Sequence, residues 1–177
     1  MKILLSGAQC VGKTTLVNSL KSIYKDWIYF DEVVRKLASK GIKVSELGND
    51  ETQLEVMKAH IENLQIPKAD DIALYDRGAL DCFGYSAWLH KRQKIKAETF
   101  NQSVGQFKTY IKEYDYIFFI KPEFEIQDDG FRSTSKEFQT EMTEIFEKIL
   151  ADYQIQHTIL SGSVIERIQT LQNTIKG

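Results

Sequence analysis

A glycine-rich segment near the N terminus constrains this sequence more than any other feature. Residues 7–14 read GAQCVGKT and match the pattern G-x-x-x-x-G-K-[ST] at every fixed position. A predicted strand, residues 2–5, precedes the segment, and a predicted helix, residues 13–24, follows it. Such a turn exposes consecutive backbone N–H groups and the positive end of a helix, and both attract phosphate. The segment therefore predicts a nucleotide-binding phosphate loop.

The positions of this loop have separate expected roles. Lys13 is expected to bridge the β- and γ-phosphates of ATP, and Thr14 is expected to offer its hydroxyl to Mg²⁺. The flanking strand and helix argue against a chance glycine turn, although the motif alone indicates nucleotide binding and does not specify a kinase. The residues predicted to contact the nucleotide are Gly7, Ala8, Gln9, Cys10, Val11, Gly12, Lys13, Thr14 and Thr15.

Short apolar runs alternate with helical patterns along the rest of the chain. This alternation is typical of an α/β fold built on one parallel sheet with flanking helices. The 177 residues, 42% of them hydrophobic, are enough for one domain, and we predict a single domain over residues 1–177. The predicted strands cover residues 2–5, 27–30, 72–75, 116–120 and 157–160, and the predicted helices cover residues 13–24, 51–64, 80–92 and 98–112.

Two further helices are predicted from their N-terminal caps. Thr134 with Glu137, and Ser163 with Glu166, have the spacing of a capping box. The helix after Thr134 and the helix over residues 51–64 each carry apolar residues at helical spacing, which predicts one buried face for each. The predicted faces are Phe138, Met142, Ile145 and Ile149 in the former helix, and Leu54, Met57, Ile61 and Leu64 in the latter.

Charged residues follow the third predicted strand directly. Ligands of parallel sheets bind at the carboxyl ends of the strands, so Asp76 and Arg77 are candidates for the site. Asp76 is expected to help hold Mg²⁺ or to take a proton from the attacking hydroxyl. Arg77 is expected to bind a phosphate or sugar of the substrate. The alternative for this pair is a salt bridge at the strand end or a helix cap.

The second predicted strand also ends in acidic residues. Asp31 and Glu32 are candidate general bases and substrate contacts, and Arg35 follows one helical turn later. This strand lies one helix after the phosphate loop, so the pair does not occupy the position of the carboxylates of mechanical ATPases. Acidic residues also favour helix N termini, which is the alternative interpretation.

Two loops complete the candidate site. Residues 128–133, DDGFRS, have the composition of a mobile lid, which we place at about residues 123–136. Arg132 is expected to neutralise charge that develops during phosphoryl transfer, and an exposed surface turn is the alternative. Ser161 and Gly162 follow the last strand, where their backbone is expected either to contact adenine or simply to cap the next helix.

The overall composition narrows the classes of molecule that the protein is expected to bind. The net charge of −2 and the pI of about 6.0 carry no basic footprint, so nucleic acid is a less favoured partner than a small molecule. Cys10 and Cys82 match neither a zinc spacing nor a disulfide framework, and reduced thiols are typical of a cytoplasmic protein. No apolar stretch approaches membrane-spanning length. Nothing in the sequence specifies an oligomeric state.

With these motifs the chain resembles the nucleoside-kinase-like P-loop proteins typified by the ribosylnicotinamide kinase domain of bacterial NAD-biosynthesis regulators, often labelled an AAA-type ATPase domain. The resemblance covers nearly the whole chain and rests on residues 5–17, 31–35, 128–133 and 161–163, and on the strand ending in Asp76. It implies a three-layer P-loop kinase fold with sheet order 2-3-1-4-5. It also implies ATP-dependent phosphorylation in which Lys13 and Thr14 bind phosphate and Mg²⁺, Asp76 is a catalytic carboxylate and Arg132 is a lid arginine.

The sequence thus favours a kinase whose acceptor is a nucleoside or nucleotide. Asp76-Arg77-Gly78 is closer to the Asp-Arg pair of deoxynucleoside and thymidylate kinases, so the acceptor is open. An NTP-hydrolysing switch is one alternative, but a Walker B strand followed by Glu in the third-strand position is not found. A polynucleotide or modified-nucleotide kinase is another, supported only by the basic stretch at residues 90–96.

Overall fold

Five short strands form one parallel sheet in a computed structural model that describes residues 1–31, 33–39, 41–42, 44–124 and 135–176. The order β2-β3-β1-β4-β5 confirms the expected 2-3-1-4-5 arrangement. The strand carrying the phosphate loop therefore lies in the middle of the sheet, where its neighbours bury it on both edges. The strands are β1 (Lys2–Ser6), β2 (Ile28–Phe30), β3 (Ala73–Asp76), β4 (Tyr116–Ile120) and β5 (Thr158–Leu160).

Helices cover this sheet in two groups and make the three expected layers. The first and last helices contact each other, whereas the third, fifth and sixth are joined through contacts with the fourth. None of the helices in the described ranges is both long and apolar enough to cross a membrane. The helices are α1 (Lys13–Ile23), α2 (Val33–Ser39), α3 (Asp50–Leu64), α4 (Ala79–Lys91), α5 (Ala97–Tyr110), α6 (Lys136–Asp152) and α7 (Val164–Lys176).

The sequence prediction missed α2 and misplaced one cap. Helix α2 has seven residues, which is too few to show a clear helical period. The cap of α6 is Ser135, whose side chain accepts from the Phe138 N–H at 3.1 Å, one residue after the predicted Thr134. Ser and Thr are both favoured N-cap residues, so the pattern alone does not decide between the two neighbours. The Ser163–Glu166 box is confirmed, because the Ser163 N–H donates to the Glu166 carboxylate at 2.7 Å.

The buried face of α3 differs from its prediction. Leu54 is 39% exposed, whereas Gln53 and His60 are buried together with Met57 and Leu64. A pattern of apolar residues assumes that the buried face meets an apolar core. Here Gln53 and His60 face a cavity that Arg77 and Asp81 also line, so polar residues occupy part of the buried face.

The strand register places the carboxyl ends of β1, β3 and β4 side by side. Leu5 of β1 pairs with Asp76 of β3, and Ser6 pairs with Phe119 of β4. The phosphate loop starts at the next residue, Gly7, and Arg77 follows Asp76. Because the strands are parallel, the loop and this Asp-Arg pair leave the sheet at the same edge, as predicted.

The close contact between α4 and α6 can be tested with a pair of glycines. A Cβ at Gly84 would lie 2.4 Å from a ring carbon of Phe146, which is fully buried, whereas a Cβ at the exposed Gly105 of α5 would meet nothing within 4 Å. We expect Gly84→Ala to lower the free energy of unfolding by about 1–3 kcal/mol, because the buried ring cannot move away. Gly105→Ala should raise it by about 0.5–1 kcal/mol. Urea denaturation measures both, and a stabilised Gly84→Ala would contradict the packing.

Candidate active site

Backbone geometry shapes the phosphate loop between β1 and α1. Cys10 and Gly12 have positive φ angles of 59° and 89°. Successive residues that alternate in this way turn their N–H groups toward a common concavity, which binds anions. At Gly7 a Cβ would lie 2.4 Å from the Ile120 carbonyl oxygen, so only glycine allows this close approach to β4. The loop therefore has the form that a polyphosphate requires.

The Lys13 side chain lies inside the protein next to this loop. It is 1% exposed, and its ammonium donates to the carbonyl oxygens of Gly7 and Ala8, each at 2.6 Å. Burying an ammonium is costly unless hydrogen bonds or an anion compensate it. These two carbonyls hold the charge at the loop, where a bound phosphate would meet it.

Asp76 lies at the neighbouring strand end, 6% exposed, and its Oδ1 has no hydrogen-bond partner among the described residues. A buried carboxylate oxygen without a partner fits a cation or a hydroxyl that binds there. Within the described ranges no group of three or more His, Cys, Asp or Glu side chains forms a metal site. Mg²⁺ usually binds through one or two protein groups together with substrate phosphates, so such a cluster is not required for the predicted ligands Thr14 and Asp76.

Arg77 lies just before α4 and forms a buried polar cluster with Asp81 and Tyr85 of that helix. Its backbone has a φ of 80°, which is rare for a residue with a side chain. Its Nη1 donates to the Tyr85 hydroxyl at 3.0 Å and lies 3.5 Å from Asp81 Oδ1, an ion pair without a close hydrogen bond. Burial raises the pKa of Asp81 above its usual range, while the charges of Arg77 and Lys13 lower it. The positive charges of Arg77 and of the phosphate-loop lysine thus both favour the ionised carboxylate of Asp81.

A cavity opens between α3 and α4 beside this cluster. Two side chains of α3 face it with buried atoms that have no partner among the described residues, namely Gln53 Oε1 and His60 Nδ1. Burial, and secondarily the charge of Arg77, lower the pKa of His60 to about 4, so its imidazole is neutral near pH 7. The cavity is lined by Val34, Val44, Ser45, Gln53, Val56, His60, Arg77, Asp81, Cys82 and Tyr85.

The acidic pair after β2 is placed differently. Asp31 forms an ion pair with Lys21 at 2.7 Å and lines a second cavity, with Phe30, Lys36 and other residues, that does not contain Arg77. The structure therefore does not bring Asp31 to the Arg77 cluster. Glu32 lies outside the described residues. Arg35 is part of α2, and the position of its side chain is also outside them.

The loops predicted to close the site are described only in part. Arg132 and most of the predicted lid, residues 125–134, lie outside the described residues. In the turn after β5 the Gly162 N–H donates to the Glu123 carboxylate at 2.7 Å. That donor is therefore occupied within the protein, and an adenine contact at this turn would use other backbone atoms of Ser161 or Gly162.

Sequence reasoning missed three polar residues of the cavity, namely Gln53, His60 and Asp81. Gln53 and His60 are seven residues apart and so lie on one helical face. That spacing was visible in the sequence, but it acquires meaning only when the facing helix is known. The sequence did not single out Asp81, because an acidic residue in the first turn of a helix is common.

Sequence comparison assigns the family. Residues 2–167 match the profile of a family described as "AAA domain". The chain belongs to this family. No curated protein matches the sequence of this AAA domain. The family resemblance expected from the motifs is thereby confirmed.

Solved structures share the fold of this AAA domain at low identity. The NadR protein in complex with NR aligns with a TM-score of 0.71 and 23% identity, covering 92% of this chain and 46% of that one. The NadR protein in complex with NAD and AMP-PNP aligns with a TM-score of 0.68 and 19% identity, covering 91% of this chain and 44% of that one. Deoxyadenosine kinase from M. mycoides, solved with the products dCMP and a flexible dCDP, aligns with a TM-score of 0.71 and 13% identity. The alignment covers 99% of both chains. The AAA domain thus spans under half of NadR and nearly all of the deoxyadenosine kinase.

The buried His60 predicts a pH dependence of stability. Its pKa is about 4 in the folded protein against 6.5 for the ordinary group, so between these values the unfolded chain binds a proton that the folded chain does not. The free energy of unfolding should therefore fall as the pH is lowered from 6.5 towards 4, by about 3 kcal/mol from this residue. Denaturation of the wild type and of His60→Gln at several pH values measures the difference. The exposed His157→Gln is the control, and equal slopes for wild type and His60→Gln would refute the assignment.

Proposed function

We propose that this protein is an ATP-dependent kinase that transfers the γ-phosphate to a nucleoside- or nucleotide-like small molecule. One observation carries the proposal: a cavity lined by Arg77 and Asp81 lies next to the strand end at Asp76, which pairs with β1 just before the phosphate loop. A hydrolysing switch needs only a nucleotide and water, whereas a kinase also needs a second pocket beside the transferred phosphate. We place the acceptor at the cavity between α3 and α4, which Arg77 and Asp81 line.

The lining of the cavity supports the class of acceptor. Val34, Val44 and Val56 provide apolar walls, and Gln53 and the neutral His60 provide hydrogen-bonding groups. Apolar walls with a few placed polar groups suit a flat heteroaromatic ring with polar edges. The structural neighbours were solved with NR and with dCMP, and both ligands fit that description. The neighbours therefore support a nucleoside-like acceptor for this chain as well.

Each residue has a defined part in the proposed reaction. Lys13 neutralises charge on the transferred phosphate, and Asp76 accepts the proton of the acceptor hydroxyl or orients it. Thr14 and Asp76 would hold Mg²⁺, which neutralises phosphate charge when bound. Arg77 positions the acceptor in the cavity. The proposed roles of Asp31, Glu32, Arg35 and Arg132, and of Ser161 and Gly162 with adenine, stay predictions.

The proposed activity is tested by a transfer screen. Purified protein is incubated with γ-labelled ATP, Mg²⁺ and nucleosides, nucleotides, nicotinamide riboside or oligonucleotides, and labelled product is separated from free phosphate. We expect transfer to at least one small nucleoside or nucleotide. Lys13→Met is the control and should abolish transfer, because it removes the ammonium while keeping the length of the side chain. ATP hydrolysis without transfer to any acceptor would contradict the kinase assignment.

Asp76 can be tested apart from nucleotide binding. We expect Asp76→Asn to lower kcat by about 10²-fold or more, because the amide neither accepts the hydroxyl proton nor provides charge for Mg²⁺. The KM for ATP should change much less than kcat, since the phosphate loop is intact. Steady-state kinetics with the acceptor found in the screen measures both constants. An unchanged kcat would remove Asp76 from the proposed mechanism.

A further inference from the structure

Two side chains from distant helices hold alternate carbonyl groups of the phosphate loop. The Gln139 side-chain amide of α6 donates to the Gln9 carbonyl oxygen at 2.7 Å, and the Arg167 guanidinium of α7 donates to the Val11 carbonyl oxygen at 2.8 Å. Gln139 is 4% exposed and Arg167 is 2% exposed. Burying a charged or amide side chain costs free energy unless the side chain forms such hydrogen bonds. Both contacts are therefore specific features of the fold.

These bonds determine how two peptide units of the loop are oriented. A peptide unit is planar and trans, so its carbonyl and its N–H point in opposite directions. Because Gln139 holds the carbonyl of Gln9, the N–H of Cys10 points away from α6. In the same way, the bond from Arg167 to Val11 turns the N–H of Gly12 away from α7.

The residues that follow these carbonyls need such support. Cys10 and Gly12 are the two positions of the loop segment 8–13 with positive φ. Glycine visits positive and negative φ about equally, so the peptide before Gly12 has no strong preference of its own. The bond to Arg167 provides that preference, and Gln139 supports the strained φ of Cys10 in the same manner.

Arg167 is itself held in place. Its Nη2 donates to Glu123 at 3.0 Å, and the same carboxylate oxygen accepts the Gly162 N–H at 2.7 Å. A Cβ at Gly12 would lie 3.1 Å from Arg167 Nη1, so the guanidinium packs directly against the loop. The ion pair compensates the buried charge and connects the loop to the ends of β4 and β5.

We propose that Gln139 and Arg167 are positioning residues that preset the phosphate loop for a polyphosphate. They act from outside the loop by fixing its carbonyls, so that the N–H groups of Cys10 and Gly12 are oriented before the nucleotide binds. Preorganised donors bind an anion more tightly because binding does not have to pay for ordering them. The proposal rests on the proposed function only in taking ATP as the ligand.

Kinetics separates this role from simple support of helix packing. In Gln139→Met and Arg167→Met we expect the KM for ATP to rise at least about tenfold, with the acceptor KM within twofold of wild type. Arg167→Lys should recover part of the loss, because it keeps one donor and the charge. Arg92→Met removes an arginine that pairs with Glu141 and does not contact the loop, and it should leave both KM values unchanged. An unchanged KM for ATP in both Met variants would overturn the proposal.

A binding experiment gives the same test without activity. Inorganic pyrophosphate should raise the melting temperature of the wild type and of Arg92→Met, and at equal concentration it should raise that of the two Met variants much less. Arg167→Met removes the arginine that pairs with Glu123 and is the variant most prone to misfold, so Arg167→Met/Glu123→Gln and Gln139→Met provide second versions. Equal shifts in all folded variants would refute the positioning role.

The thiol of Cys10 reports on the loop itself. Cys10 is half-buried and Cys82 is buried, so alkylation by iodoacetamide should modify Cys10 first. We expect faster alkylation of Cys10 in the Met variants than in wild type or Arg92→Met, because the adjacent peptides are no longer held. A wild type that binds pyrophosphate but transfers no phosphate would refute the kinase and leave this proposal in force. Alkylation rates equal to wild type in every variant would count against the positioning role alone.

Discussion

The buried ammonium of Lys13 is the interaction on which the rest of the site depends. It donates to the carbonyl oxygens of Gly7 and Ala8, and these hydrogen bonds hold its positive charge at the loop. A buried charge of this kind is stable only where backbone dipoles or a bound anion compensate it. The loop, the first helix and the middle strand of the sheet are arranged so that a phosphate can supply that compensation.

Around this charge the molecule places its other ionisable groups at one edge of the sheet. The parallel register brings Asp76 beside Leu5, and the turn after β3 brings Arg77 and Asp81 into the same region. Their charges alternate in sign, which limits the cost of burying them together. These residues lie between the loop and the cavity, and in the proposed reaction the transferred phosphate would pass beside them.

Hydrogen bonds from distant helices also hold the carbonyl groups of the loop. Gln139 and Arg167 reach it from helices that are more than a hundred residues later in the chain, and each satisfies one carbonyl. The same two bonds join α6 and α7 to the loop between β1 and α1, so this loop is part of the packing of the whole domain. Changes in that packing are therefore expected to act on nucleotide affinity.

The sequence by itself determined the phosphate loop, the parallel sheet and the Asp76–Arg77 strand end, because these depend on local spacing and on backbone physics that any such chain shares. It did not reveal the inward face of Gln53 and His60, the pairing of Asp31 with Lys21, or the contacts of Arg167 with Val11. Each of these depends on which distant element packs against the residue. Local patterns describe how a chain segment folds, whereas the partner of a buried polar group is decided only when the tertiary structure brings the two together.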